Sequence, residues 1–166
     1  IRDSIYPNPL FYAPVTGYFS YIYGQSALER SQNSILSGSD NRLFVNRVVD
    51  LLGNQEPQGG SVELTLDPVA QRAAAEGLRD LGEGTRGAVA AINPQTGEIL
   101  AMATQPSYDP NALASHDLSA TRDAWDQLTS DPNQPMLNRS TQLTLPPGST
   151  FKLVTAAAAL ENLNLT

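Results

Sequence analysis

The N-terminal third of the chain mixes short apolar groups with turn residues. Its first 25 residues are rich in Tyr, Pro and Gly, which predicts extended loop or edge structure. Ser26 and Glu29 have the spacing of a capping box and predict the start of a helix. Asp40 precedes a second run with helical spacing. That run leads into residues 53–60, GNQEPQGG, whose composition is typical of a linker or exposed loop.

The pattern changes after this linker. Residues 62–66 alternate between apolar and polar side chains, as a half-buried strand does. Asp67 and Pro68 then form a helix start, with a capping side chain followed by proline in the first turn. The helix is predicted to end at Gly82. Its predicted apolar face consists of Ala70, Ala74, Leu78 and Leu81.

Two apolar runs follow, residues 87–93 and residues 98–104. The four residues between them end in Gly97, which supplies the positive φ angle that a tight turn requires, so the runs predict a β-hairpin. Both runs are apolar on both faces, which predicts central strands covered by helices. Residues 105–148 are rich in turn residues and predict loops with one helix near residues 119–128.

Composition excludes several classes of protein. The net charge of −7 argues against a nucleic-acid binder, which needs a basic surface. Cysteine is absent, which excludes disulfides, thiol catalysis and thiolate zinc sites. His116 is the only histidine, so a multi-histidine metal site cannot form, and the dispersed aspartates show no metal-site spacing. No metal and no cofactor are therefore expected, and His116 is interpreted as a solvated side chain.

The segment with candidate chemistry is PPGSTFK, residues 146–152, followed by a helix-forming run rich in Ala and Leu. The Pro-Pro-Gly turn places Ser149 at the start of that helix, and the spacing of three places Lys152 on the same face. A serine hydroxyl needs a base to become a nucleophile. A neutral lysine amine is such a base if its pKa falls far below about 10.4, which desolvation and a helix N-terminus both favour. The arrangement suits acyl transfer through an acyl-serine, with backbone N–H groups at the helix start as oxyanion donors.

A structural interpretation competes with this one. Serine is a common helix cap and lysine is an ordinary helix residue, so the spacing of Ser149 and Lys152 alone favours a merely structural role. Context favours chemistry, because Lys152 is the only lysine among 10 basic residues. Arginine could not replace it as a base, since arginine keeps its proton near neutral pH.

The same segment resembles the active-site Ser-x-x-Lys motif of penicillin-binding proteins. The resemblance extends over most of residues 14–165. GSVELTLDPVAQRAAAEGL and GAVAAINPQTGEILAMATQPSYDPN are similar to the opening strand, helix and hairpin of the family's transpeptidase domain, and Asn138-Arg139-Ser140 resembles its Asn-Arg-Ala. Residues 16–38 resemble the N-terminal pedestal, or dimerisation region, of the class B members, and the YPNP…YAPVTGYFS start is most similar to an actinobacterial branch.

The resemblance implies an α/β (α+β) fold, with an antiparallel sheet flanked by helices. Residues 1–60 would be the end of the pedestal, and residues 61–166 the first part of the transpeptidase domain. It also implies a serine-type D,D-transpeptidase of the cell wall. Ser149 would be the nucleophile that binds substrate and β-lactams, and Lys152 the base. Expected partners are peptidoglycan stem peptides ending in D-Ala-D-Ala, β-lactams, and division or elongation proteins, with no nucleic acid. The expected location is the extracytoplasmic face of the membrane, with an anchor upstream.

Two departures from the family pattern keep alternatives open. The Ser-x-Asn and Lys-Thr-Gly motifs of the family should follow the Ser-x-x-Lys helix, and residues 153–166 contain neither. The chain is therefore expected to be a fragment that is inactive by itself. A β-lactam sensor or a β-lactamase relative, and a non-catalytic scaffold for division or elongation partners, are the competing interpretations. The pedestal-like residues argue against the first of them.

Overall fold

The computed structural model describes residues 4–40 and 59–162. The predicted helix after Asp40 and residues 53–58 of the predicted linker lie outside the described residues. Gly60 donates its N–H to the Ile35 carbonyl (2.8 Å), so the chain returns to the end of the N-terminal helices. A side chain at Gly59 would collide with the Leu36 carbonyl, with its Cβ only 2.0 Å from that oxygen.

The described residues form helices and two short antiparallel sheets, as the α/β (α+β) prediction requires. The N-terminal elements are α1 (Pro9–Thr16), β1 (Phe19–Ser20), β2 (Gly24–Gln25), α2 (Ala27–Ser31) and α3 (Asn33–Leu36). The later elements are α4 (Pro68–Asp80), β3 (Gly87–Ile92), β4 (Ile99–Gln105), a 3₁₀ turn (Pro110–Ala112), α5 (Leu118–Ser130), α6 (Arg139–Gln142), a second 3₁₀ turn (Gly148–Phe151) and α7 (Lys152–Asn162). None of these helices is both long enough and apolar enough to span a bilayer.

The prediction of extended structure for the first 25 residues is wrong for α1 and correct for the short β1–β2 hairpin. Pro9 occupies the first turn of α1, where its missing N–H has no consequence. Ala13 is buried in the core, so tertiary packing holds this proline-containing segment as a helix. Ser26 starts α2 as predicted, but its hydroxyl accepts the Tyr18 N–H (3.1 Å) and makes no capping bond.

The helix predicted after the linker is confirmed as α4. Asp67 caps it by accepting the Ala70 N–H (2.7 Å), and Leu78 is buried. Leu81, however, is 72 % exposed, so the predicted apolar face ends one turn early. Residues 62–66 are not a strand. They are joined to the start of β4 by the Thr65 hydroxyl, which donates to the Ile99 carbonyl (2.8 Å), and no backbone ladder forms.

The predicted hairpin is confirmed. Strands β3 and β4 pair antiparallel with Val89 opposite Ala103, and Gly97 in the turn has φ 79°. Helix α4 packs against β4, and Ala101 and Ala103 of β4 are buried. The alternate residues of β3 are exposed, Ile92 to 58 %, so within the described residues the prediction of helices covering both faces is wrong for β3.

The core joins helix α1 to the segment that follows strand β4. Ala13 of α1 packs with Tyr108 and Leu113, which flank or follow the first 3₁₀ turn. Tyr18 and Trp125 pack against this cluster, and Trp125 stacks on Tyr23 with ring centroids 4.0 Å apart. Helix α5 confirms the helix predicted near residues 119–128, and Trp125 is the packing residue that its sequence suggests.

Candidate active site

Ser149 and Lys152 lie on one short stretch of backbone, as their spacing predicts. Ser149 is in the second 3₁₀ turn, and Lys152 begins α7 directly after it. Gly148 enters the turn with φ 53°, a conformation that favours glycine. The Pro147 carbonyl accepts both the N–H (3.2 Å) and the hydroxyl of Thr150, which fixes the turn on its N-terminal side.

The two candidate residues are connected through the backbone. The Lys152 N–H donates to the carbonyl oxygen of Ser149. In a 3₁₀ turn the side chains of residues i and i+3 are eclipsed, because one turn takes three residues. The Ser149 and Lys152 side chains therefore share one face, one turn apart, although no hydrogen bond joins hydroxyl to amine within the described residues.

The surroundings of this pair are open. Ser149 and Lys152 are both exposed, and so are Phe151 (55 %), Leu153 (77 %) and Leu160 (71 %). Helix α7 is thus apolar on its surface but is not packed on the rest of the described chain. The desolvation on which a lysine base depends is not provided by the described residues.

The backbone at Ser149 has a free donor. Its N–H takes part in no hydrogen bond among the described residues. It lies in the first turn before α7, where N–H groups lack intrahelical acceptors and the helix dipole favours negative charge. This N–H is available to an oxyanion that forms beside the Ser149 hydroxyl.

Asn138, Arg139 and Ser140 form the start of α6, eight to ten residues after helix α5 ends and just before the serine segment. Asn138 caps α6 by accepting the Ser140 N–H (3.1 Å). Arg139 is 6 % exposed, and its guanidinium donates to the carbonyls of Asn133, Gln134 (3.1 Å) and Leu137 (3.4 Å). Burial, together with the nearby charge of Arg86, lowers the pKa of Arg139. Arg139 therefore holds the loop before α6 in place through hydrogen bonds to the backbone carbonyls of that loop.

Helix α6 is in turn fixed to β4. The Ser140 hydroxyl donates to the Ala103 carbonyl (3.3 Å), and the Arg139 N–H donates to the Thr104 hydroxyl (3.4 Å). Six residues, 143–148, separate α6 from Ser149. The serine turn is therefore connected to the sheet through a short, proline-containing stretch.

No catalytic or metal-binding role is assigned to the other candidate residues. His116 is exposed as predicted, and its ring also lies 4.9 Å from that of Tyr21. No group of His, Asp and Glu side chains in residues 4–40 and 59–162 has the arrangement of a metal site.

The sequence prediction missed three side-chain amides that bind the backbone of α1 and its flanks. Asn111 binds Tyr6, Gln71 binds Phe11, and Asn138 binds Pro14. Gln71 had a detectable signal, because it lies at helical spacing from Ala74 and Leu78 on the otherwise apolar face of α4. The other two lie in loops or caps, where their sequence pattern predicts only local bonds.

Comparison with known proteins identifies the family to which the chain belongs. Residues 3–62 match the penicillin binding protein A dimerisation domain, and residues 87–165 match the penicillin binding protein transpeptidase domain. The chain therefore belongs to the class B penicillin-binding proteins, as the resemblance predicted.

Within that family the chain is similar to penicillin-binding protein A of mycobacteria. It is 51 % identical over 158 residues to the peptidoglycan D,D-transpeptidase PbpA of Mycolicibacterium smegmatis, covering 95 % of this chain and 32 % of the relative. It is 48 % identical over 157 residues to PbpA of Mycobacterium tuberculosis, covering 94 % and 32 %. The Escherichia coli MrdA protein is 37 % identical over 147 residues, covering 82 % and 22 %.

Solved structures give the same result. The penicillin G acyl-enzyme complex of M. tuberculosis penicillin-binding protein A superposes with a TM-score of 0.91 at 47 % identity, covering 95 % of this chain and 36 % of that one. Pseudomonas aeruginosa PBP2 in complex with WCK 5153 superposes with a TM-score of 0.69 at 30 % identity, covering 96 % and 35 %. The chain spans about a third of the length of the two mycobacterial relatives.

Proposed function

We propose that the chain is part of a peptidoglycan D,D-transpeptidase in which Ser149 is the nucleophile and Lys152 is its base. The observation that carries the proposal is the 3₁₀ turn, which places a serine and a lysine on one face and ties their backbones together. The relatives' identity as peptidoglycan D,D-transpeptidases, and the acyl-enzyme complex of the M. tuberculosis protein, support it.

The reaction proceeds in two steps. Lys152 takes the proton of the Ser149 hydroxyl, whose oxygen attacks the carbonyl carbon of the penultimate D-Ala of a stem peptide. The bond to the terminal D-Ala breaks, and that residue leaves with the proton as a free amine. The amine of a second stem peptide then attacks the acyl-serine ester. A new peptide bond cross-links the two strands, and the Ser149 oxygen recovers its proton.

The Ser149 N–H supplies one donor to the oxyanion of each tetrahedral intermediate. A β-lactam has the same reactive carbonyl in a strained ring, so the Ser149 oxygen opens the ring and forms a stable acyl-enzyme. The exposure of α7 and of the serine–lysine face implies that other parts of the whole protein enclose this site.

We place the boundary between the pedestal part and the transpeptidase part at residues 60 and 61. The match of residues 3–62 to the dimerisation domain supports this division. It also favours a transpeptidase over a β-lactam sensor or a β-lactamase. The proposed location is the extracytoplasmic face of the membrane, where peptidoglycan is the substrate, with an anchor upstream and with division or elongation proteins as partners.

The test uses the whole protein that carries this chain. Incubation with a fluorescent penicillin should give a covalent adduct, and peptide mass spectrometry should locate it on Ser149. The variant Ser149→Ala should lose the adduct, whereas the control Thr144→Ala, in the exposed stretch before the serine turn, should keep it. If the protein is a non-catalytic scaffold, neither the wild type nor the variants will form an adduct. An adduct that persists in Ser149→Ala would reject Ser149 as the nucleophile.

A further inference from the structure

Three side-chain amides hold the segment around α1 to the later part of the chain. Asn111 accepts the Tyr6 N–H (2.8 Å) and donates to the Tyr6 carbonyl (3.0 Å). Gln71 donates to the Phe11 carbonyl (2.6 Å), and Asn138 donates to the Pro14 carbonyl (2.8 Å). All these bonds reach the backbone of α1 and its flank, so they depend on where that backbone runs and not on its side chains.

Asn138 differs from the other two amides because it also caps α6, the helix that precedes Ser149. Its Oδ1 accepts the Ser140 N–H and caps α6, while its Nδ2 reaches across to Pro14, 124 positions earlier in the sequence. The hydrogen bond to Pro14 therefore fixes the position of the α6 cap relative to α1. Pro14 is buried, so the packing around it fixes the position of its carbonyl.

The connection continues from α6 to the candidate nucleophile. Ser140 and Arg139 attach α6 to β4, and residues 143–148 run from its end to Ser149. Pro146 and Pro147 restrict the backbone of that stretch. A displacement of the Asn138 cap would therefore displace the Ser149 hydroxyl as well, because only this short, proline-stiffened stretch lies between α6 and Ser149.

We propose that Asn138 is a positioning residue for acylation at Ser149. Its side-chain amide fixes the start of α6 to the Pro14 carbonyl, and so lets the pedestal segment that contains α1 set the place of the serine turn. The inference rests on the proposed function and adds a route by which the position of the pedestal affects the reaction. A displacement of about 1 Å at a reacting atom costs up to ~100-fold in rate, so a single lost tether has a measurable effect.

The test compares two matched variants of the whole protein. Asn138→Asp keeps the oxygen that caps α6 and loses the Nδ2 donor, which binds the Pro14 carbonyl (2.8 Å) and the Met102 sulfur (3.5 Å). Asn111→Asp keeps the oxygen that accepts the Tyr6 N–H and loses the donor to the Tyr6 carbonyl, at the same junction but away from α6. Both variants introduce one carboxylate. In Asn111→Asp it lies beside the Asp109 carboxylate, to which the Asn111 amide donates (2.8 Å), so the control disturbs its own site at least as strongly as Asn138→Asp does.

The first readout separates chemistry from binding in the acylation by fluorescent penicillin. Asn138→Asp should lower the first-order acylation rate constant about tenfold with the noncovalent dissociation constant unchanged. Asn111→Asp should keep both constants within about twofold of the wild type. Equal rate constants for Asn138→Asp and the wild type, or equal losses in both variants, would overturn the proposal.

The second readout does not depend on activity. Amide hydrogen exchange of residues 139–150 should rise in Asn138→Asp and stay at the wild-type level in Asn111→Asp. Unchanged exchange in Asn138→Asp would also overturn the positioning role. A wild-type protein that is never acylated at Ser149 would contradict the proposed function, and the exchange comparison would still decide whether Asn138 positions the serine turn.

Discussion

Gln71 binds both backbone polar groups of Met102. Its Nε2 donates to the Met102 carbonyl (2.9 Å), and its Oε1 accepts the Met102 N–H (2.8 Å). The side chain thus makes the two bonds that a neighbouring strand would make along the open edge of β4. The same Nε2 also donates to the Phe11 carbonyl, and Gln71 is fully buried. One amide therefore joins α4, β4 and α1.

Replacement of Gln71 by leucine should strongly destabilise this junction. The change removes the three hydrogen bonds of the Gln71 amide and leaves the N–H and carbonyl of Met102 without these partners at a part-buried site, at a cost of about 3 kcal/mol. The free energy of unfolding of the whole protein, measured in urea, checks this. Gln127→Leu on the exposed face of α5 is the matched control and should change it by less than about 0.5 kcal/mol. A Gln71→Leu protein as stable as the control would show that the amide is dispensable.

Arg139→Lys should loosen the loop before α6 even though the charge is kept. A single ammonium cannot reach the three carbonyls that the planar guanidinium binds, so about 2 kcal/mol of stability should be lost. Hydrogen exchange of residues 132–138 should increase. The same substitution at the exposed Arg122 is the control and should leave that exchange unchanged. Protection of the loop in Arg139→Lys would mean that other contacts hold it.

Lys152→Arg should abolish acylation without disturbing the turn. Arginine keeps the positive charge but does not release its proton near neutral pH, so the rate of penicillin acylation should fall by about 100-fold or more. Stopped-flow measurement with a fluorescent penicillin checks this, with Glu161→Gln on the same helix as a control that retains the wild-type rate. A Lys152→Arg protein that reacts at the normal rate would exclude the lysine as the base.

Tyr108 should make the protein sensitive to alkali. Burial raises its pKa from 10.0 to about 12, and the side chain belongs to the core. The folded state holds this proton more tightly than the unfolded state, so the stabilisation is complete below pH 10 and is lost as the pH rises towards 12. The loss from this residue should be about 2 kcal/mol.

Urea unfolding between pH 8 and pH 12 measures this effect. Tyr108→Phe should flatten the decline above pH 10, while Tyr21→Phe, at an exposed aromatic ring, should leave the wild-type curve. The buried Tyr6, whose pKa is raised by burial and by its hydrogen bond to Glu29, should account for part of the decline that remains. A Tyr108→Phe curve identical to that of the wild type would contradict the assignment.

Local signals were reliable where neighbours along the chain make the structure. The cap at Asp67, helix α4, the turn at Gly97 and the serine–lysine spacing all depend on residues within four or five positions, and the structure has each of them. Predictions that needed information about distant neighbours were wrong. Residues 62–66 alternate like a strand but form no backbone ladder with β4, and α1 is a helix because Ala13 packs into the core.

The sequence by itself therefore determined helix α4, the β3–β4 hairpin, helix α5, the family, and the candidate pair Ser149 and Lys152, because caps, turns and motif spacings are short-range. Only the tertiary structure decided which polar side chains are buried and what they bind. Gln71 reaches Met102 across 31 positions, and Asn138 reaches Pro14 across 124. Such bonds form only after the chain has folded, since an amide carries no preference for one distant carbonyl until packing places both groups together and removes water from them.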